Sequence, residues 1–327
     1  MPLKLEYTDF DRSIWESELE GFVPSRVFDA HVHVWDDRYA GTNDRPDWHL
    51  RTDTDYPGLL DWSRRIYPGR RVEFLLLGMP VPGMDWRGFQ AFMGEQTALS
   101  PMKLGSTIVV PEMQAEELDA FVRQYHFTGL KPYRLFAADP AQCRIRDYLP
   151  EALIEVADAH GLAITLHLSR FDGIADPANQ QDLAELTRRY PRVRWILAHC
   201  ARGFHPYTLE KSVFFLRTLP NLWYDLSAVC DVYSHYLLMK HEDPKRLMFG
   251  SDNTAAGSDH GNYITWGRGW QFYKSGPQPH CESAATLVVY EQLRAMRHAA
   301  EMAGLTAPDI EALFWNNAAA LFGFSAK

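Results

Sequence analysis

Val27-Phe28-Asp29-Ala30-His31-Val32-His33 decides how this chain is read, because three further apolar runs repeat its plan. They are Ala163-Ile164-Thr165-Leu166-His167, Trp195-Ile196-Leu197-Ala198-His199 and Leu247-Met248-Phe249-Gly250-Ser251-Asp252. Each has the Val, Ile, Leu and Phe content of a buried strand and ends in a residue able to ligate a metal. In a parallel barrel every strand presents its C-terminal end on one face, and that face carries the chemistry. Closure would bring three histidine-bearing strands and one aspartate-bearing strand to a single point.

Outward from these runs, eight candidate strands end near His33, Met79, Val110, Tyr133, His167, His199, Leu226 and Asp252. Helical periodicity fills several gaps: residues 114–124 carry Leu118, Phe121 and Val122 on one face, residues 148–160 carry Leu149, Leu153, Val156 and Ala157, and residues 178–190 carry Leu183, Leu186 and Tyr190. Pro177 and Pro206 suit helix starts, and Gly161 suits a helix stop. Strand alternating with helix eight times predicts a (β/α)8 TIM barrel, and 327 residues are read as one such domain. Three segments fall outside the repeat: an N-terminal extension (1–26) and two inserts, 35–70 after strand 1 and 253–282 after strand 8. Long inserts at the chemical face are expected to wall or cover a pocket; contact between copies of the chain is the alternative. Their aromatics (Trp35, Trp48, Trp62, Tyr263, Trp266, Trp270 and Phe272) either stack on a ring-bearing substrate or bury the inserts against the barrel.

Composition narrows the partners. A net charge of -9 provides no basic face for nucleic acid. No apolar stretch approaches the ~20 residues of a membrane span. The first twenty residues hold acidic side chains and no apolar h-region, so no secretion signal is expected. Cys143, Cys200, Cys230 and Cys281 show no close pairing, which fits a reduced, cytoplasmic protein. The partner expected is a small-molecule substrate, and such a barrel is expected to form a homo-oligomer.

His31 and His33 lie two apart on a strand and share a face. With His167 adding a third nitrogen and Asp252 a carboxylate, they make a ligand set for one divalent metal, zinc first, with manganese or another ion as alternatives. Asp252 is also placed to take a proton from water activated at the metal; the plainer reading is that it caps a turn. Arg134, Arg170 and Arg202 follow strands 4, 5 and 6, and with Tyr133 they suit a carboxylated substrate. Ordinary ion pairs with Asp172, Asp176, Glu210 or Asp225 are the competing reading.

On these motifs the chain resembles the amidohydrolase superfamily, and within it the amidohydrolase 2 group. The landmarks run in order from Asp29-Ala30-His31-Val32-His33 through Gly129-Leu130-Lys131, His167, Ala198-His199 and Gly250-Ser251-Asp252 to Asn316-Asn317-Ala318-Ala319-Ala320-Leu321-Phe322-Gly323. The resemblance implies His31, His33, His167 and Asp252 as the metal set. It places His199 beside the metal as an acid, a base or an orienter of water. Lys131 is then structural or substrate-facing with a single ion; a carboxylated Lys131 bridging two metals is the alternative. The implied activity is hydrolysis of a lactone, ester or amide in a small, carboxylated cyclic molecule. Non-hydrolytic decarboxylation of an aromatic or unsaturated acid is the second reading. A metal-free lactonase and a barrel that binds a small acid without turnover complete the set.

Overall fold

Eight parallel strands follow one another around a nearly closed barrel, each hydrogen-bonded to the next in sequence order. They are β1 (Arg26–Val34), β2 (Arg71–Gly78), β3 (Gly105–Val109), β4 (Gly129–Pro132), β5 (Ala163–Leu166), β6 (Arg194–Leu197), β7 (Leu222–Asp225) and β8 (Leu247–Met248). The computed structural model describes residues 5–41, 53–274, 278–281 and 283–324. Trp48 and parts of both expected inserts lie outside that description. β8 is joined to β1 by Ala30 N–H donating to Phe249 O (3.0 Å) and Asp252 N–H donating to His31 O (2.8 Å). Gly250 is needed at this seam, since a Cβ there would stand 2.9 Å from the Cβ of His31.

The helices begin and end where local chemistry dictates. Pro177 and Pro206 occupy first turns, where the missing N–H leaves no orphan. Asp176 accepts from Ala178 N–H at one of these starts. Gly161 stops helix Glu151–His160 in the left-handed conformation (φ +63°). Helices Ala115–Tyr125 and Pro177–Arg189 match the expected periodic stretches within a residue at each end. The expected helix at 148–160 is divided into Ile145–Tyr148 and Glu151–His160, with Pro150 between them.

Two apolar layers result. Phe28, Ala30, Leu75, Leu77, Ala163, Ile196 and Met248 form an inner cluster, plugged from below by Trp315 and Ala318. Val32 and Val34 of β1 belong instead to the layer between sheet and helices. A register shift between Asp29 and Val32 lies at this changeover. Such a bulge re-aims a strand; here Ala30 joins the inner cluster while His31 and His33, just above it, reach the pocket.

The inserts have their own structure. Trp35 and Trp62 are buried; Trp35 stacks near Phe89 and donates to Asp37 Oδ1 (2.9 Å), and Trp62 donates to Asn253 Oδ1 (3.3 Å). Both therefore fasten the first insert to the barrel. The second insert forms an antiparallel hairpin, β9 (Asn262–Trp266) and β10 (Gly269–Tyr273). Among the described residues no helix is long and apolar enough to cross a membrane.

Candidate functional site

The C-terminal face of the barrel gathers the polar ends of its strands around a small cavity of about 40 Å³, lined by His31, His33, Lys131, Tyr133, His199 and Asp252. A larger cavity of about 400 Å³, bordered by Leu5, Trp35, Asp55 and Trp62, shares none of these donors. His31 Nε2 lies 3.2 Å from His33 Nε2 and 3.5 Å from Asp252 Oδ1, and the third edge, His33 Nε2 to Asp252 Oδ1, is 3.2 Å. Ligands held at 2.0–2.2 Å around one ion stand about 3.0 Å apart in an octahedron and about 3.4 Å apart in a tetrahedron. The triangle has the size of one face of a metal polyhedron. His31, His199 and Asp252 also present ligand atoms within 4.8 Å of one another, all buried.

Hydrogen bonding at the opposite ring nitrogens fixes which atoms are offered. His31 Nδ1 faces Asp225 Oδ2 at 2.9 Å, His33 Nδ1 faces Gly78 O at 3.2 Å, and His167 Nδ1 faces Leu168 O at 2.9 Å. His199 Nδ1 stands 2.9 Å from Ser227 Oγ and 3.2 Å from Ser227 O. An acceptor at Nδ1 selects the Nδ1–H tautomer and leaves the Nε2 lone pair free, the arrangement that metal-binding histidines use. Burial, reinforced by the Lys131 ammonium, pushes His31 down to about 3, and burial lowers His33 and His167 as well. All three are neutral and able to ligate at neutral pH. For Asp252, burial pushes the carboxyl up, but the His33, His31 and His199 rings around it outweigh burial and hold it at about 2. These residues fit a divalent metal.

His199 reaches this set by an unusual path. The chain does not continue β6 but turns through His199, Cys200, Ala201 and Arg202 with φ of 57°, 53°, 57° and 62°, one turn in the left-handed sense. Each such residue costs about 1–2 kcal/mol. Asp225 Oδ1 accepts from His199 N–H (3.1 Å), and Gly203 N–H donates to His199 O (2.7 Å). Cys200 Sγ packs 3.6 Å from His235 Nδ1. The turn brings His199 to the pocket.

The other expected residues divide. His167 lies outside the compact donor set, its ring 5.1 Å from that of His199 and 4.8 Å from that of Tyr133. Arg170 pairs with Asp176 (2.8 Å) and donates to Gln142 O (2.6 Å), so it serves its own loop. Arg134 and Arg202 differ. Arg134 donates to Pro140 O (2.8 Å) and keeps a buried Nε without a hydrogen-bond partner, while Arg202 donates to Arg170 O (2.5 Å). Neither has a carboxylate partner among the described residues, and burial together with the charge of Arg134 lowers Arg202 to about 10. Burial is the first cause that lowers His167, and both guanidinium charges add to it. The hairpin closes the other side: Trp270 stacks on Phe204 (4.3 Å), Tyr263 packs on it (4.9 Å), and Phe204 leans on His199 (5.4 Å).

Asp225, read from sequence only as a possible ion-pair partner of an arginine, instead faces His31, and Ser227 was not among the residues expected. Asp225 accepts from His31 Nδ1–H, His199 N–H, Ser227 N–H (3.2 Å) and Ser227 O–H (2.5 Å), and it stays ionised: burial raises its pKa, but the His31 contact and the Ser227 bond pull it well below the usual range. The signal was present, since Leu222-Trp223-Tyr224-Asp225 is a fifth apolar run ending in an acid.

This constellation agrees with the sequence match. The family model for amidohydrolases matches residues 28–324, and the chain belongs to that family of metal-dependent enzymes. No curated protein matches it. Solved structures share the fold at low identity. A 5-carboxyvanillate decarboxylase from Sphingomonas paucimobilis is 15% identical, with TM-score 0.54 over 92% of this chain and 100% of that one. A putative 2-pyrone-4,6-dicarboxylic acid hydrolase from Pseudomonas putida is 16% identical, with TM-score 0.56 over 93% and 100%. A dihydroxybenzoic acid decarboxylase from Polaromonas sp. JS666, with bound manganese and 2-nitroresorcinol, is 16% identical, with TM-score 0.55 over 92% and 97%.

Proposed function

We propose that the protein is a metal-dependent hydrolase of a small, carboxylated cyclic substrate, a lactone, ester or amide. The observation that carries this reading is the pairing of the metal-sized His31–His33–Asp252 triangle with two guanidiniums, Arg134 and Arg202, that have no carboxylate partner among the described residues. His31, His33, His199 and Asp252 would hold the ion, with His167 behind His199 as a further nitrogen. Bound there, a divalent metal supplies a Lewis acid that lowers the pKa of water toward ~7. Asp252, ionised and beside His33, accepts the proton of the attacking water. Arg134 and Arg202 fix a substrate carboxylate, leaving the scissile carbonyl between His199 and the metal ligands. Phe204, Tyr263 and Trp270 shield that space from bulk water, which strengthens every charge interaction inside it.

Decarboxylation is the second reading, and the Phe204–Trp270–Tyr263 wall favours it, because it would lie flat against an aromatic acid. Both readings use the same ligands and arginines. The test is to supply zinc- or manganese-loaded protein with lactone carboxylates and with aromatic carboxylic acids, following acid release and carbon dioxide release separately. Acid release that vanishes in Asp252→Asn supports hydrolysis; carbon dioxide release without water uptake replaces it with decarboxylation. Stoichiometric metal with neither activity on either panel defeats both.

A further inference from the structure

Lys131 stands inside the donor cluster, although an ammonium has only hydrogens to offer and cannot ligate a cation. Its side chain is 1% exposed, and Nζ lies 3.1 Å from His31 Nε2. That nitrogen is the same corner of the triangle that faces His33 Nε2 and Asp252 Oδ1. Because Asp225 takes the proton side of the ring at Nδ1, Nε2 has one lone pair. One lone pair serves either an N–H of Lys131 or a metal. The charges lead to the same conclusion. Asp225 and Asp252 are two buried carboxylates flanking the imidazole that Lys131 touches, 2.9 Å from His31 Nδ1 and 3.5 Å from His31 Nε2. Buried charges of one sign require a cation nearby.

We propose that Lys131 is the resident counter-cation of the His31–Asp225–Asp252 cluster and competes with a divalent metal for His31 Nε2. When a metal binds, the ammonium gives up this nitrogen and turns within the cavity it shares with Tyr133, whose ring centroid is 6.0 Å from Nζ. This inference rests on the metal reading above.

The test is calorimetric titration of Zn²⁺ into the chelator-stripped full chain, its Lys131→Met variant and its Lys131→Gln variant, with melting curves of each before and after zinc. Lys131→Gln keeps an amide donor while removing the charge, so it remains informative if the methionine variant does not fold without metal. The expected result is zinc binding at least tenfold tighter in both variants. Their stripped forms should melt below the native protein, and zinc should raise their melting temperature by more. Binding by the variants but not by the native protein supports the proposal most strongly. Native binding that is equalled or weakened in folded variants overturns the role of Lys131 and leaves the metal reading intact. Two zinc ions per native chain falling to one in the variants overturns it in favour of a carboxylated bridge. No zinc bound by any of the three refutes the metal reading, and this inference with it.

Discussion

Asp225→Asn isolates one hydrogen bond on which the whole site depends. The exchange preserves shape, and the remaining amide oxygen can still accept from His199 N–H and from Ser227. The new NH₂ group, however, faces His31 Nδ1, where the native carboxylate oxygen accepts at 2.9 Å. A donor there disfavours the Nδ1–H tautomer and moves the proton to Nε2, the atom turned toward His33 and Asp252. The same exchange beside a catalytic histidine in serine proteases leaves the geometry intact and strands the wrong tautomer. A hydrogen bond to a charged group contributes about 1.5–3 kcal/mol. At 1.4 kcal/mol per factor of ten, that corresponds to roughly 10–100-fold in metal affinity, the range found when the partner behind a metal ligand is removed. Loss of a negative charge beside the cation acts in the same direction. The assay is calorimetric zinc titration of native and variant protein, with far-ultraviolet circular dichroism to establish that both are folded. A variant dissociation constant within twofold of the native one would refute the account of Asp225 as the residue that sets the tautomer of His31.

Three further outcomes are expected. His126→Gly should raise stability by about 0.5–1 kcal/mol in urea unfolding, because exposed His126 caps its helix at φ +56° and glycine relieves that strain; an unchanged or lower midpoint contradicts this. His260 donates to Asp11 (2.8 Å), which raises its pKa above 6.5, whereas at Asp11 burial is outweighed by the bonds from His260 and Thr286 and the carboxyl falls below 3.8. The histidine's share is complete below about 6.5 and fades as pH rises through its raised value, while the aspartate's share is present above about 3.8 and is lost on acidification. The stability gap between native protein and His260→Gln should therefore be largest near about pH 5–6 and shrink toward about pH 8–9; a gap constant over that range contradicts the pairing. Finally, zinc at a hundredfold excess over its dissociation constant should stabilise the stripped protein by about 2.7 kcal/mol, and Asp252→Asn should lose most of that gain in a melting experiment.

The eight strands were legible because each is buried on both faces, so its apolar run and its polar terminus stand out without tertiary knowledge. The helix starts at Pro177 and Pro206 and the stop at Gly161 were legible for local reasons of the same kind. The left-handed turn at His199–Arg202 was not. It contains no glycine, and it is held by a carboxylate from β7 and by packing against His235, contacts distant in sequence. Continued strand was therefore the natural expectation for His199. The bulge in β1 was hidden for a similar reason: alternation alone would send His31 and Ala30 to opposite faces. Arg170 illustrates the opposite limit. Its spacing after His167 matched that of Arg202 after His199, but Asp176 six residues on claims its guanidinium, and only folding decides that choice.

Strain and unpaired charge coincide in this molecule. Of the ten non-glycine residues with positive φ among those described, seven lie in the loops after β5 to β8: Arg170, His199, Cys200, Ala201, Arg202, Ala228 and Asp252. The same loops carry Arg202, with no carboxylate partner among the described residues, and Asp252 within the donor triangle. The bottom of the barrel, closed by Trp315, Phe322 and Phe324 against Phe28, is apolar packing. Stability alone would relieve strained backbone and pair buried cations, because each raises the energy of the folded state. Their concentration on the face where β1, β5 and β6 deliver their imidazoles is what the proposed site requires: ligands held before an ion arrives, and positive charge held for an anion. A barrel that merely bound a small acid would need the arginines. It would have no use for a histidine lifted into the donor set on four strained residues, and that turn is the strongest structural argument for catalysis over binding.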